Sequence, residues 1–574
     1  MKERWILKKR SFKDLSERLN ISPLLAHVLR GRVSDEEAEE FLDREGPLFD
    51  PFTMRDLENA ARFLLAKIRG GAKIFIVGDY DVDGVTSASI LYKGITGLGG
   101  EALIRIPHRV GDGYGMRPYM ADEALAKGCS LIITCDNGIR EFEAMRHAKD
   151  LGIPVILTDH HEITLDEEGK DVLPEAEFIL NPHRQDETCG FESLCGAGVA
   201  YKFIQGLYRL AGRKMPDELL ALAALGTVCD LMVLRGENRR IVYQGLKVIN
   251  QDPPLGIQAL MDAAGIAEVA PYHCGFVLGP MINAGGRLAD QQKYISLLLT
   301  DSREEAMRLA EELKALNIER QKMTTEGFEE ALRIVDQDFA ADVVKVVYLP
   351  SVNESIAGLI AGKIKEKYYR PTIILGGDEP VLKGSARSIE GFDIFRELQK
   401  LDPLLDRYGG HPMAAGLSLS RDNLEALRAS LNEQQTLSEE ELMPKVLVDA
   451  MLPIQNTSIE LVEELEALEP YGNGNEQPVF GSTGLKLTRI YIMGKNRNAA
   501  RLYLIENGRS VEAITFRMEM LESVITEKFG PHIWQRLTAG EMIRKPLPID
   551  LLYTVSINEY RGLRNVQCTV CNLR

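Results

Sequence analysis

Three apolar runs, Lys73-Ile-Phe-Ile-Val77, Leu131-Ile-Ile-Thr-Cys135 and Ile153-Pro-Val-Ile-Leu157, each lead within a few residues into acidic or imidazole side chains. In order, the groups they lead into are Asp79-Tyr-Asp-Val-Asp83-Gly84, Asp136-Asn-Gly138 and Asp159-His-His161. Short apolar runs separated by helical segments are the pattern of a parallel sheet covered on both faces. Such open sheets bind ligands at the carboxyl ends of their strands, so aspartates and histidines far apart in sequence are expected to meet in one small volume. Hard carboxylate oxygens with one or two imidazoles suit Mn²⁺, Mg²⁺ or another divalent ion, and the density of acids points to a pair of ions. That is the chemistry of a two-metal phosphoesterase.

At 574 residues the chain is too long for one core, and its length suggests roughly three or four domains. Residues 1–60 have a helical, amphipathic pattern and are expected to form a cap packed on the adjoining domain. Across 61–300 the alternation predicts strand 73–78, helix 85–97, strand 102–106, helix 118–127, strand 131–135, helix 140–151 and strand 153–157, a doubly wound α/β catalytic domain. Residues 301–340 hold one long helical period, read as a connector helix. A second α/β domain over 341–420 ends in a glycine-rich stretch, and 421–470 forms a helical, acidic linker. Short alternating strands over 471–574 fit a small antiparallel β-barrel, a size at which OB-folds hold single-stranded nucleic acid.

A net charge of −17 argues at first against a nucleic-acid partner, because phosphate binding leaves a basic footprint. Charge is a sum over the surface, and a confined cationic channel with metal ions over the acidic cluster still attracts DNA. No window carries the roughly 20 apolar residues of a membrane span, and Met1-Lys-Glu-Arg-Trp5 leads into polar sequence. A cytoplasmic protein with no membrane contact is expected. Eight cysteines make no secreted-type framework and should be reduced thiols. Cys568 and Cys571 lie in a strand-like run, where their side chains face opposite sides and cannot share a metal.

If the backbone after the first strand is extended, Asp79, Asp81 and Asp83 share a face. A calcium loop would need a Glu at its twelfth position, which is Ile90 here. Asp136 ends a strand, a place that also suits a helix N-cap. On an extended segment His160 and His161 project to opposite sides, one toward a metal and the other toward a substrate phosphate. Asp230, closing the apolar run from Leu225, is placed to complete the coordination.

Together these residues resemble the DHH phosphoesterase superfamily, whose pattern is an acidic first motif, an isolated second Asp, an Asp-His-His triplet and a later Asp. The resemblance extends almost end to end to its single-stranded-DNA 5′-exonuclease branch, through Arg30-Gly-Arg-Val-Ser-Asp35, Pro107-His-Arg-Val-Gly-Asp-Gly-Tyr-Gly115 and Leu194-Cys-Gly-Ala-Gly-Val-Ala200. It continues in Gly279-Pro-Met-Ile-Asn-Ala-Gly-Gly-Arg-Leu288, Leu316-Asn-Ile-Glu-Arg-Gln321, Gly384-Ser-Ala-Arg-Ser-Ile-Glu-Gly391, Gly409-Gly-His-Pro-Met-Ala-Ala-Gly416 and Leu468-Glu-Pro-Tyr-Gly-Asn-Gly-Asn475. The stretch Asn353-Glu-Ser-Ile-Ala357 departs from the pattern of the DHH-associated domain.

The resemblance implies two ions, Mn²⁺ or Mg²⁺: one held by Asp81, Asp136 and Asp230, the other by Asp83, Asp136 and His160, with Asp136 bridging. Asp79 and His161 would support the metals or touch the scissile phosphate. Arg109, Tyr114, Asn283, Arg287, Ser385, Arg387, Gly409, Gly410 and His411 fall in motifs expected to grip the 5′ end and backbone phosphates, for which Arg forks and glycine-flanked N–H groups are suited. The implied activity is 5′→3′ hydrolysis of single-stranded DNA to 5′-mononucleotides in repair and recombination, by a monomer working with a helicase or single-strand-binding protein. Two other readings are phosphodiester hydrolysis of short oligonucleotides or cyclic dinucleotides, which need no barrel, and a non-catalytic replication scaffold, which would have lost metal ligands.

Overall fold

The computed structural model describes residues 3–8, 13–109, 111–190, 193–377, 380–494, 496–560 and 562–574. Met1-Lys2 and Val110 of the 107–115 motif lie outside them. Two compact units are present: 45–233 with 237–444, and 3–44 with 234–236 and 445–574.

In the first unit a five-stranded, all-parallel sheet runs in the order Glu101–Arg105, Lys73–Val77, Leu131–Cys135, Val155–Thr158, Phe178–Leu180. The chain starts at Lys73–Val77, turns to one neighbour and then crosses to the other side, which opens a crevice at the carboxyl ends of the central strands. Phe75, Val77, Ile132, Val155 and Leu157 form one core with Met120, Ala124, Met145 and Ala148, from helices Pro118–Ala126 and Phe142–Asp150. Ile74, Ile76 and Ile133 on the other face are equally buried, under helices Val82–Gly97 and Gly196–Ala211. These two helices approach closely: a Cβ on Gly94 would lie 2.6 Å from the Ile204 side chain.

The connector is a single helix, Arg303–Asp338, capped by Ser302; at 1.5 Å per residue it is about 54 Å long. Its last turns, through Ala331 and Val335, enter a core with Val347, Leu349, Ile356, Ile360 and Ile374. A second five-stranded sheet comes next, ordered Arg407–His411, Ala414–Ser420, Val381–Arg387, Thr372–Gly376, Lys345–Tyr348. Only Lys345–Tyr348 and Thr372–Gly376 pair in parallel. The glycine-rich stretch builds the antiparallel pairs, an outcome that its glycines hide from the pattern because they break the period-2 signal of a strand.

Residues 421–470 are not one helical linker. Helix Leu424–Gln434 puts Leu424, Leu427 and Leu431 into the second sheet's core, whereas Lys445–Val448 and Ala450–Met451 are strands of the second unit. There, strands Phe480–Met493, Ala499–Glu506, Arg509–Thr515, Leu563–Leu573 and Leu547–Tyr560 succeed one another round a sheet that closes by pairing of the first with the last. Alternate residues of Ala499–Glu506 are buried, the period of a strand with one face inward.

The segment expected as a cap over 1–60 divides: 45–60 belong to the unit of the parallel sheet, where Phe52 and Leu57 lie against Gly206, whereas 3–44 belong to the second unit. Leu15, Leu25, Val28, Leu29 and Phe41 share a core with Leu465, Phe480, Leu485, Leu502 and Tyr553 of the barrel. Strand Arg4–Leu7 pairs in parallel with Lys445–Val448, and Arg32 donates to Asn475 Oδ1 at 2.8 Å, across 443 positions of sequence. An apolar stripe reports that a helix needs a partner, not where in the chain that partner lies. No helix among the described residues is long and apolar enough to cross a membrane.

Candidate active site and metal centre

Three loops at the carboxyl edge of the parallel sheet, and the C-terminal end of helix Glu218–Cys229, carry the acids and imidazoles. After Lys73–Val77 the backbone does not stay extended to Asp83. Asp81 N-caps helix Val82–Gly97, accepting from the Gly84 N–H at 3.0 Å, so Asp83 lies in the first helical turn. The turn is tight enough that a Cβ on Gly84 would sit 2.5 Å from the Asp79 nitrogen. Asp83 is fixed by two backbone donors, Gly196 N–H at 2.6 Å and Ala197 N–H at 2.8 Å. Both open helix Gly196–Ala211, and the N-terminal end of a helix favours a carboxylate.

Asp136 comes directly after Leu131–Cys135 with φ of 60°, in the left-handed region, which Asp enters more readily than most residues. Its N–H donates to the Thr158 carbonyl at 3.1 Å. Next to it Asn137 donates to the carbonyls of Cys135 (2.8 Å) and Val77 (3.2 Å), tying two strand ends together. A Cβ on Gly196 would lie 2.6 Å from Asp136 Cβ, so the close approach of this helix end to the acid requires glycine.

His160 and His161 do not diverge. Their ring centroids are 4.4 Å apart, because Asp159 turns the chain with its own side chain. Asp159 Oδ1 accepts from the N–H groups of His160 (2.7 Å) and His161 (3.2 Å) and from His161 Nδ1 (2.7 Å), while Oδ2 accepts from Ile139 N–H at 3.0 Å. His160 Nε2 lies 3.0 Å from Asp136, 3.6 Å from Asp83 and 3.7 Å from Asp230. Asp230 is the C-cap of helix Glu218–Cys229. The Tyr114 hydroxyl donates to the Asp136 carbonyl at 2.8 Å and stands 3.0 Å from His161 Nδ1.

Ligand atoms of Asp79, Asp81 and Asp136, of Asp83, His160 and Asp230, and of Asp136, His160 and His161 form three overlapping groups, each within 4.8 Å. Every aspartate and histidine expected at the metal site is in one of them. The grouping differs from the one implied by resemblance, since Asp230 stands with Asp83 and His160 and not with Asp81.

Electrostatics make this set a cation site. Burial, and next the Asp81 charge, push Asp79 well above the carboxylate range and Asp83 up to about 6. Burial, and next the Asp83 charge, do the same for Asp136 and take Asp230 up to about 9. Asp79 Oδ1 is buried without a hydrogen-bond partner among the described residues. So many crowded carboxylates stay ionised together only when a positive charge sits among them, and their oxygens with a neutral imidazole fit divalent ions. His160 is held neutral: burial, then the His161 charge, lower it to about 3. For His161 burial acts downward but is outweighed by the Asp159 hydrogen bond and charge, which raise it to about 9.

A cationic cluster stands beside the acids. Burial, and then the charges of Arg109, Arg320 and Arg387, bring Arg287 down to about 10. Arg109 lies over the Tyr80 ring at 4.7 Å. Helix Gly279–Leu288, which carries Asn283 and Arg287, reaches the Tyr80 carbonyl through Gly286, where a Cβ would sit 2.8 Å away. Arg287 donates to the Ser355 carbonyl. Ser385 and Arg387 face Gly358, whose hypothetical Cβ would lie 2.7 Å from Arg387 Nη2. A cavity of about 460 Å³ is lined by Tyr80, Arg109, Ser355, Lys383, Arg407 and Gly409, among others. Asn283, Gly410 and His411 are not in its lining; His411 is exposed on strand Arg407–His411. Asp159, Arg320, Lys383 and Arg407 are not singled out as site residues by sequence. Asp159 is visible in its triplet, and Arg320 in the Leu316–Gln321 run, but nothing in spacing tells a ligand from the residue that orients one.

The chain matches three family profiles: DHH family, N-terminal domain over 73–227, DHHA1 domain over 342–436, and RecJ OB domain over 448–572. It is 34% identical to the single-stranded-DNA-specific exonuclease RecJ of Bacillus subtilis (strain 168), over 98% of this chain and 72% of that one. To the protein of the same name from Salmonella typhimurium it is 32% identical, over 99% of both. The crystal structure of RecJ in complex with Mn²⁺ from Thermus thermophilus superposes with a TM-score of 0.81 at 26% identity, covering 100% of this chain and 79% of that one. Fold, site geometry and near full-length similarity lead to one conclusion: this chain belongs to the RecJ family of DHH phosphoesterases.

Proposed function

We propose that the chain is a metal-dependent 5′→3′ exonuclease that hydrolyses single-stranded DNA to 5′-mononucleotides, acting in cytoplasmic DNA repair and recombination as a monomer alongside a helicase or single-strand-binding protein. The observation that carries this reading is the convergence of five aspartates and two histidines into overlapping groups of ligand spacing, beside a cavity lined by Arg109, Lys383 and Arg407. The relatives named for single-stranded DNA and the neighbour holding Mn²⁺ support the substrate and the metal; a second neighbour was determined with Mg²⁺.

Asp79, Asp81 and Asp136 would hold one ion and Asp83, His160 and Asp230 the other, and Asp136 is also within ligand spacing of His160 and His161. Bound divalent ions supply Lewis acidity, easing loss of a proton from water and offsetting charge on phosphate oxygens. His161, oriented by Asp159 and Tyr114, offers its other ring nitrogen to the scissile phosphate. Arg109, Arg287 and Arg387 bind the phosphates near the 5′ end, preorganised where negative charge grows. The cavity takes the terminal nucleotide, and the barrel holds a further stretch of the strand.

The test is a product assay with Mn²⁺ or Mg²⁺ on 5′-labelled and 3′-labelled single strands, duplexes and a cyclic dinucleotide. The expected result is immediate release of labelled mononucleotide from the 5′-labelled single strand, progressive shortening of the 3′-labelled one, and little action on duplex. Turnover of the cyclic dinucleotide in preference to single strands would reject the reading.

A further inference from the structure

The cavity beside Tyr80 and Arg109 has three cationic lining residues, Arg109, Lys383 and Arg407, and one carboxylate, Glu354. Glu354 opens helix Glu354–Tyr368. Its Oε2 lies 3.1 Å from Lys383 Nζ, with the two side chains 31% and 57% exposed. Next to it Ser355 is buried, and its Oγ has no hydrogen-bond partner among the described residues. A lining this rich in cations, with an unpartnered hydroxyl buried in its wall, suits a phosphate. The acid is the anomaly: it pairs with one of the cations a phosphate would use, and it repels phosphate itself.

We propose that Glu354 is a specificity-determining residue that limits the charge accepted at the 5′ end to a single phosphate. This rests on the nuclease reading, in which the cavity takes the terminal nucleotide. Solvent-facing ion pairs hold their partners weakly, so a 5′-phosphate draws Lys383 away from Glu354. The uncovered carboxylate then borders the bound phosphate. A 5′-triphosphate brings more negative charge than a monophosphate into a lining whose cations, Arg109, Lys383 and Arg407, face this one carboxylate, which is discrimination by repulsion. An acid in the first turn also suits its helix, a purely local role that would leave the choice of 5′ end untouched.

The experiment compares the full chain with Glu354→Gln and Lys383→Met on three single strands of one sequence, ending in 5′-hydroxyl, 5′-monophosphate and 5′-triphosphate. The readout is kcat/KM for removal of the terminal nucleotide in Mn²⁺. The unsubstituted protein should favour the monophosphate over the triphosphate, and Glu354→Gln should narrow that ratio by about tenfold, chiefly through KM for the triphosphate. Lys383→Met should reduce the advantage of monophosphate over hydroxyl. A Glu354→Gln ratio equal to the original, or an equal gain on all three ends, would overturn the proposal while leaving the nuclease intact. Failure of the unsubstituted protein to trim any of the three would instead remove the nuclease reading.

Discussion

Asp159 and His161 fix one another's charge. The hydrogen bond at 2.7 Å holds Asp159 down to about 2 against the upward push of burial, and holds His161 up to about 9. A raised histidine stabilises the fold fully below its unfolded value of about 6.5, and that contribution is lost as pH climbs through about 9. In protein stripped of metal by EDTA, an NMR titration should find the His161 ring charged at neutral pH. Asp159→Asn should move its midpoint down toward the ordinary imidazole range and lower cleavage by about 10–100-fold. An unmoved midpoint would show that Asp159 does not control the ring. At this scale the sequence displays donor types but not their conformations. The left-handed turn at Asp136 is held by hydrogen bonds to neighbouring strand ends, which no local pattern encodes, whereas the side-by-side histidines follow from the Asp159 side chain bonding to its own two successors, a turn that an extended reading of the triplet leaves out.

Elements bring the donors together by close approach. Gly84 lets the helix that starts at Val82 press on the Asp79 backbone, and Gly196 lets the next helix reach Asp136 and Asp83. Gly84→Ala should therefore weaken Mn²⁺ binding by about 10–100-fold and destabilise the protein by about 1–3 kcal/mol; calorimetric Mn²⁺ titration and thermal melting check both. Affinity and melting equal to those of the unsubstituted protein would contradict the packing at this turn. The parallel strands and the long connector are legible in the sequence because their apolar runs and helical period are strong local signals. The helix beginning at Val82 is expected three residues later when the aspartates are taken as extended, because spacing alone does not mark Asp81 as a cap. The antiparallel strands around Gly409 and Gly416 are hidden for the same kind of reason: glycine carries no side-chain period.

For the whole molecule, the division into two units assigns the N-terminal helices to the barrel's core. Leu29, fully buried there, should when changed to Ala destabilise that unit by about 2–5 kcal/mol, seen as an earlier transition of one unit in denaturant while the other keeps its midpoint. A unit-independent shift would contradict the assignment. This partnership is not legible in the sequence, because it depends on contacts between distant segments; of the cationic cluster, Arg109, Arg287 and Arg387 are reached through the family resemblance and Arg320 is not. The central claim is that the converging acids and imidazoles hold a pair of ions that the chemistry requires. It is tested most directly by counting Mn²⁺ bound per chain, with cleavage measured on the same samples, in the unsubstituted protein and in Asp136→Asn, whose side chain tolerates the left-handed backbone. The account expects two ions in the former, and in the variant the loss of at least one together with a fall in cleavage on the order of 10³-fold; two tightly held ions and undiminished cleavage in the variant would contradict it.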